Sequence, residues 1–188
     1  SGIGKETAIE LSRQGMHIIF NTRDEAKGAG VRDEIIKSSG NQHVDVFYCD
    51  LASFKSICMF AGKIRQNYDK LDILINNAGI NIRESIWDVK DESWEQVIST
   101  NLAGAMRCSR AVVEHMKAQR WGRIIMLGSI LSVVGIPQRS SYASSKAGVL
   151  GLTRAMALDL APFGITVNAL CPGVFKTEIN RPILNDPE

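Results

Sequence analysis

The sequence has no internal repeat, no low-complexity segment and no apolar run near the ~18 residues that a membrane-crossing helix needs, so no membrane span is expected. A basic start followed by an apolar middle is also missing, so Ser1 does not open a secretory signal; this absence carries little weight, because the natural protein is expected to begin earlier. Only four cysteines occur, Cys49, Cys58, Cys108 and Cys171, and none forms a Cys-x-x-Cys pair. That excludes a disulfide framework and a cysteine-type metal site, and it fits reduced thiols in a cytoplasmic setting. There is no basic run or aromatic ladder, and the net charge of +2 is spread between both signs, so no nucleic-acid partner is indicated. What remains, with 45% hydrophobic residues, is enough to build a core: one soluble α/β domain spanning 1–188.

Helix-like and strand-like segments alternate along the chain. Helices are expected over 4–14, 25–38, 54–68, 92–119 and 140–162, and strands over 16–21, 43–48, 71–75, 123–128 and 165–171. Apolar strands separated by helices argue for a doubly wound parallel sheet covered on both faces, a Rossmann-like three-layer α/β fold. In such sheets ligands bind beyond the carboxyl ends of the strands. The polar motifs of this chain fall there, after a strand or at the start of a helix.

Ser1-Gly2-Ile3-Gly4 opens onto a helix, where glycine backbone can approach a pyrophosphate and unpaired N–H groups face it; a simple tight turn has the same sequence. Phe20-Asn21-Thr22-Arg23 closes a strand about 20 residues on, where dinucleotide sites choose between a ribose hydroxyl and a 2′-phosphate. A guanidinium there favours the phosphate, so NADP(H) is preferred over NAD(H), unless Arg23 is merely a solvated charge. Asp24 keeps NAD(H) open, since its carboxylate can reach a ribose. Asp50-Leu51 ends the next strand, and Asp50 reads equally well as a helix cap. Asn76-Asn77-Ala78-Gly79 ends the one after and, as bare chemistry, is only a turn.

Tyr142 and Lys146 are four apart on one helical face, where an ammonium would pull a phenol's pKa down toward the working range. Ser129, thirteen residues before Tyr142, follows a strand and can hold a substrate oxygen. Asn101 lies inside a long helix among the poor helix formers Ser99 and Thr100, which suggests a local distortion.

In their order and spacing, Asn-Asn-Ala-Gly, Asn101, Ser129, Tyr142-x-x-x-Lys146 and Pro172-Gly173-x-x-x-Thr177 resemble the short-chain dehydrogenase/reductase family over nearly the whole chain. The resemblance implies an NAD(P)-dependent oxidoreductase acting on a small carbonyl or alcohol substrate. Ser129 would orient the carbonyl, Tyr142 would be the general acid/base, and Lys146 would tune the phenol and hold the nicotinamide ribose. Asn101 would support a proton relay through a water. Ser1, Gly2, Ile3 and Gly4 resemble the end of the family's phosphate turn. Asp50 and Leu51 would meet the adenine; Asn76 and Asn77 would bridge neighbouring strand ends, and Ala78 and Gly79, next to Asn77, would leave room for the adenine–ribose. Pro172, Gly173 and Thr177 would wall the nicotinamide. The family also implies a homotetramer or homodimer, a central strand before Ser1, and a further segment after Glu188 that completes the substrate pocket.

Gly128 stands where many members carry Ser, and is expected only to loosen the turn. From residue 80 onward the chain resembles gluconate or polyol dehydrogenases; before it, retinol- or protochlorophyllide-reducing relatives. Pocket-lining candidates are 80–86, 130–139 and 174–184, with Arg83 and Arg139 among aliphatics. Two other readings stay open on the same fold: a nucleotide-binding scaffold without chemistry, and an epimerase or dehydratase that retains its cofactor.

Overall fold

The computed structural model describes residues 2–173. The chain divides into two compact units, one built on Ser1–Asp50 and one on Leu51–Val174. Ser1, Thr177 and the 174–184 stretch lie outside the described residues.

The first unit runs α1 (Gly2–Arg13), β1 (Ile18–Thr22), α2 (Glu25–Ser39) and β2 (Val44–Tyr48), with β1 and β2 parallel from Ile18 opposite Val44 to Thr22 opposite Tyr48. Ile9, Ile18, Ile35 and Val44 form its buried core, backed by Leu11, Phe20 and Val31. Ile35 is fully buried, a burial that contributes about 1.5–3 kcal/mol. Asp24 starts α2 by accepting a hydrogen bond from the Lys27 N–H, and Gly40 ends it at φ 77°, a left-handed cap that glycine adopts without strain.

The second unit runs α3 (Phe54–Asn67), β3 (Ile73–Asn76), α4 (Asp91–Ile98), a π-helical turn (Ser99–Ala103), α5 (Gly104–Gln119), β4 (Gly122–Leu127), a 3-10 turn (Ile130–Ser132), α6 (Ser140–Leu160) and β5 (Ile165–Leu170). Its sheet is parallel throughout, in the order β3-β4-β5. Ile124 and Met126 of the middle strand are fully buried and pack with Met116, Val149, Leu160, Ile165 and Val167. Apolar residues of the long helices, among them Leu102, Val112, Val113 and Met156, lie against this core.

The expected elements are present with ends shifted by one or two residues, apart from the helix read as continuous over 92–119. It is interrupted by the π-helical turn, so the distortion expected at Asn101 is real. The wider turn is followed by Gly104, where a Cβ would fall 2.8 Å from the Leu51 carbonyl oxygen. Glycine there lets Leu51 lie directly on the start of α5.

Candidate active site

The second unit brings Ser129, Tyr142 and Lys146 together. Ser129, extended at φ −162°, follows β4 and caps the 3-10 turn, its Oγ accepting from the Leu131 N–H at 3.1 Å. Tyr142 lies in the first turn of α6, close enough to the Ser129 side chain for that hydroxyl to oppose the rise of its pKa. The Lys146 Nζ is 5.8 Å from the Tyr142 ring centre and donates to the Leu127 carbonyl at 2.6 Å.

Two serines fix this pair. Ser132 Oγ accepts from the Ser129 N–H and donates to the Lys146 carbonyl, at 3.1 and 3.0 Å. Ser145 Oγ donates to the Tyr142 carbonyl at 2.7 Å and accepts from Asn101 Nδ2 at 3.1 Å. Asn101 also clasps the backbone after β3, its Oδ1 accepting from the Ile80 N–H at 2.8 Å and its Nδ2 donating to the Ile80 carbonyl at 2.9 Å. With 2% of its surface exposed, Asn101 acts as a bracket between the β3 loop and α6. Its amide is committed to positioning; the relay water implied by the resemblance would have one Oδ1 lone pair left to it.

The electrostatics differ from the expectation at one point. Burial pushes the Tyr142 phenol above its ordinary pKa, opposed in part by Ser129 and by the charge of Arg139; Lys146 is not among the groups that lower it. The ammonium instead faces a backbone carbonyl, and its own burial brings Lys146 down to about 8, opposed by Cys171. Helix spacing showed that the two side chains share a face, but not that desolvation outweighs their attraction.

Gly128 is also corrected. It is buried, and a Cβ there would fall 2.7 Å from Cys171 Sγ and 3.3 Å from the Leu170 carbonyl. A side chain there would require Cys171 to shift, so the glycine accommodates the close approach of the strand ends and does more than loosen the turn. Ile130 N–H donates to the Pro172 carbonyl at 3.1 Å, so Pro172 flanks the start of the 3-10 turn, with Gly173 next to it. Asn76, at the end of β3, does bridge strand and helix, through Ser109 at 3.0 Å and Met126 Sδ at 3.1 Å. The Asn77 N–H turns back to the Ile75 carbonyl, and Ala78 is exposed. At Gly79 a Cβ would fall 3.4 Å from both Asn101 Oδ1 and Lys146 Nζ, so glycine keeps space open in front of these groups. Leu51 takes its place against Gly104.

In the first unit Gly2 has φ +67°, a value suited to glycine, and no acidic residue in the first turn of α1 competes for the N–H groups of Ile3 and Gly4. Thr22 and Asp24 bond each other, Thr22 Oγ1 donating to the Asp24 carbonyl and accepting from its N–H. The Asp24 carboxylate is used as the cap of α2, and Arg23 is exposed. Asp50 is not a helix cap: Ser53 caps α3, accepting from the Ser56 N–H. Among the described residues no three His, Cys, Asp or Glu side chains gather as a metal site, and no helix is long and apolar enough to cross a membrane. Sequence reasoning missed Ser145 and included Ile80 and Ser132 only within the pocket-lining stretches 80–86 and 130–139, without their hydrogen bonds to segments distant in the chain.

A buried lysine and a phenol beside a serine hydroxyl, next to a space kept by glycine, form the proton-handling half of a carbonyl/alcohol oxidoreductase. The short chain dehydrogenase family matches residues 1–188, and the chain belongs to it. It is 35% identical over 185 residues to the 3-oxoacyl-[acyl-carrier-protein] reductase FabG of Escherichia coli, covering 98% of this chain and 74% of that enzyme. A gluconate 5-dehydrogenase from Burkholderia cenocepacia, solved with NADP and tartrate, superposes with a TM-score of 0.93 at 33% identity, covering 100% of this chain and 72% of that one. An NAD+-bound xylitol dehydrogenase superposes with a TM-score of 0.86 at 29% identity, covering 92% and 66%. The fold is the three-layer Rossmann-like α/β class, and the protein is an oxidoreductase.

Proposed function

We propose that the protein transfers a hydride between NADP(H) and a small carbonyl or secondary-alcohol substrate, with Ser129, Tyr142 and Lys146 handling the substrate oxygen and its proton. The observation that carries this is the buried cluster itself. Ser132 and Ser145 hold the main chain of Ser129, Tyr142 and Lys146, and the Leu127 carbonyl holds the Lys146 ammonium, which sets the Tyr142 and Ser129 hydroxyls close together to meet one oxygen atom.

The residues suit a dinucleotide in each unit. In the first, Ser1, Gly2, Ile3 and Gly4 would take the pyrophosphate at a helix start without a competing carboxylate, and Asp50 would meet the adenine. Thr22 and Arg23 would take a 2′-phosphate. NADP(H) is preferred because Arg23 is exposed while the Asp24 carboxylate is tied to the Lys27 N–H; NAD(H) remains usable. In the second, Asn77, Ala78 and Gly79 would leave room for the adenosine. Lys146 and Tyr142 would hold the nicotinamide ribose at the space Gly79 keeps open, with Pro172, Gly173 and Thr177 beyond them. When bound, the nicotinamide supplies or accepts the hydride.

The protein's part is position and proton control. Ser129 donates to the substrate oxygen. Tyr142 gives a proton to that oxygen in reduction and takes it in oxidation. Asn101, through Ile80 and Ser145, holds the loop and the helix at fixed separation. The relatives act on an acyl-carrier thioester, gluconate or xylitol, and their shared feature is a carbonyl/secondary-alcohol pair. We read residues 1–188 as one dinucleotide-binding domain that self-associates as a dimer or tetramer in the cytoplasm.

A panel of small ketones and secondary alcohols, followed at the nicotinamide absorbance band, tests this. NADPH-dependent turnover with cofactor exchanged every cycle is expected. Tight retention of the cofactor with substrate isomerised would favour the epimerase reading, and cofactor binding without turnover the scaffold.

A further inference from the structure

Arg139, whose charge reaches Tyr142, and Arg83, whose charge reaches Arg139, are given no contact with the substrate in the chemistry above. Arg139 stands immediately before α6 and follows Gln138, whose φ of +60° is in the left-handed region. Its backbone pairs with Glu84 as an isolated parallel bridge, which sets the segment after β3 beside the start of α6. Arg139 is 5% exposed. One of its nitrogens, Nη1, donates to the Gln138 carbonyl at 3.2 Å, and among the described residues no carboxylate forms an ion pair with it. Its guanidinium is held below its ordinary pKa by burial and by the positive charge of Arg83; Tyr142 acts in the opposite sense. A buried cation next to a second cation is unfavourable unless an anion joins them.

The same two segments hold most of the unpartnered buried polar atoms. Asn81 Oδ1, Glu84 Oε2 and Ser140 Oγ are buried without a hydrogen-bond partner among the described residues; His115 Nε2 is the one such atom elsewhere. Glu84 Oε1 is occupied by Ser93 Oγ at 3.0 Å. The backbone bridge thus sets the Arg139 residue, whose charge reaches Tyr142, beside segments in which a buried carboxylate oxygen and a buried hydroxyl have hydrogen-bonding capacity to spare.

We propose that Arg139, with the exposed Arg83 at its rim, binds a carboxylate carried by the substrate, and that Asn81, Glu84 and Ser140 take up the substrate's hydroxyl groups. The substrate class is then a small oxo- or hydroxycarboxylic acid. The planar fork of arginine matches a carboxylate in two-point contact. A singly charged carboxylate suits the site better than a phosphate, since a second negative charge would meet Glu84 across the bridge. This inference rests on the hydride-transfer reading for the location of the reacting carbon.

Matched ketones test it: acetoacetate against acetoacetamide, and levulinate against levulinamide, with dihydroxyacetone phosphate as the phosphate arm. For the acids, kcat/KM is expected to exceed that of the amides by about tenfold or more, the scale of one charge-assisted contact. Arg139→Gln should close that gap, and Arg83→Gln should narrow it. Binding is read separately as the rise in Tm on adding levulinate, which levulinamide should not reproduce. If Arg139→Gln does not fold, Arg83→Gln, altered at an exposed residue, carries the comparison. Equal rates within each pair, a preference that survives both variants, or better turnover of the phosphate would overturn the proposal. Turnover of the ketones without acid preference or levulinate shift removes the anion site and keeps hydride transfer. A levulinate shift lost in the arginine variants, with no ketone or alcohol turned over, keeps the anion site and removes hydride transfer.

Discussion

The turn between β1 and α2 and the segment from Ser129 to Lys146 both present polar side chains at the end of a strand, but they are built in opposite ways. Thr22, Arg23 and Asp24 are partly or largely exposed, and the Thr22 and Asp24 hydrogen bonds stay within three residues of chain. Ser129, Ser145 and Lys146 are buried, and Ser145 and Lys146 connect to Asn101 and Leu127, far away in sequence. A local, solvated turn can change its side chains without disturbing the fold, so it suits a choice between cofactors. A buried network cannot, because each lost partner leaves another polar group without one. Chemistry that depends on position belongs in the second kind of site.

The largest break in this comparison is expected from Lys146→Met, which should lower kcat/KM about a hundredfold or more, the scale of lost acid–base assistance. Lys146 also gives the contrast a pH signature. Its ordinary value is 10.5 and its folded value about 8. Between the two the unfolded chain holds the extra proton, so this residue's contribution makes stability rise with pH there. The ammonium itself is lost above about pH 8, and KM for the cofactor should climb in that range. Melting curves and cofactor titrations across this window should be flatter in Lys146→Met than in the parent; equal slopes would place the titration elsewhere.

Asn101→Ala comes next. It strands the Ile80 N–H and carbonyl, and a cost of about 1–3 kcal/mol is expected in denaturant unfolding, with kcat lowered because the bracket across α6 is gone. In the local turn, Arg23→Ala should raise KM for NADPH about tenfold more than for NADH and leave Tm nearly unchanged. A similar rise for both cofactors would make Arg23 a surface charge. The smallest effect is Asp24→Ala, about 1 kcal/mol from the lost cap, with the ratio of NADPH to NADH preference unaltered. A changed ratio would show that this carboxylate reads the ribose.

Much of this was legible in sequence for physical reasons. The alternation of apolar strands and amphipathic helices reports burial directly, and Asn101 between poor helix formers marked the π-helical turn. The shared face of Tyr142 and Lys146 followed from helical spacing, and the grouping of Ser129 with them from the family resemblance. What could not be read depends on closure in space. Ser132 and Ser145 look like ordinary helix-start serines until the carbonyls of Lys146 and Tyr142 come within reach. Gly128 looks permissive until Cys171 fills the space beside it. The rise of the Tyr142 pKa comes from desolvation, which no spacing along a helix encodes, and the cation that opposes it is Arg139 rather than the lysine on its own face.

The central claim is that the Tyr142 hydroxyl moves the proton of the substrate oxygen while the rest of the buried network only positions it. Single-turnover reduction by Tyr142→Phe, with NADPH binding titrated in the same preparation, tests this most directly. The account predicts cofactor affinity near that of the parent and hydride transfer slower by about a hundredfold or more. Transfer at a rate close to the parent's would contradict it.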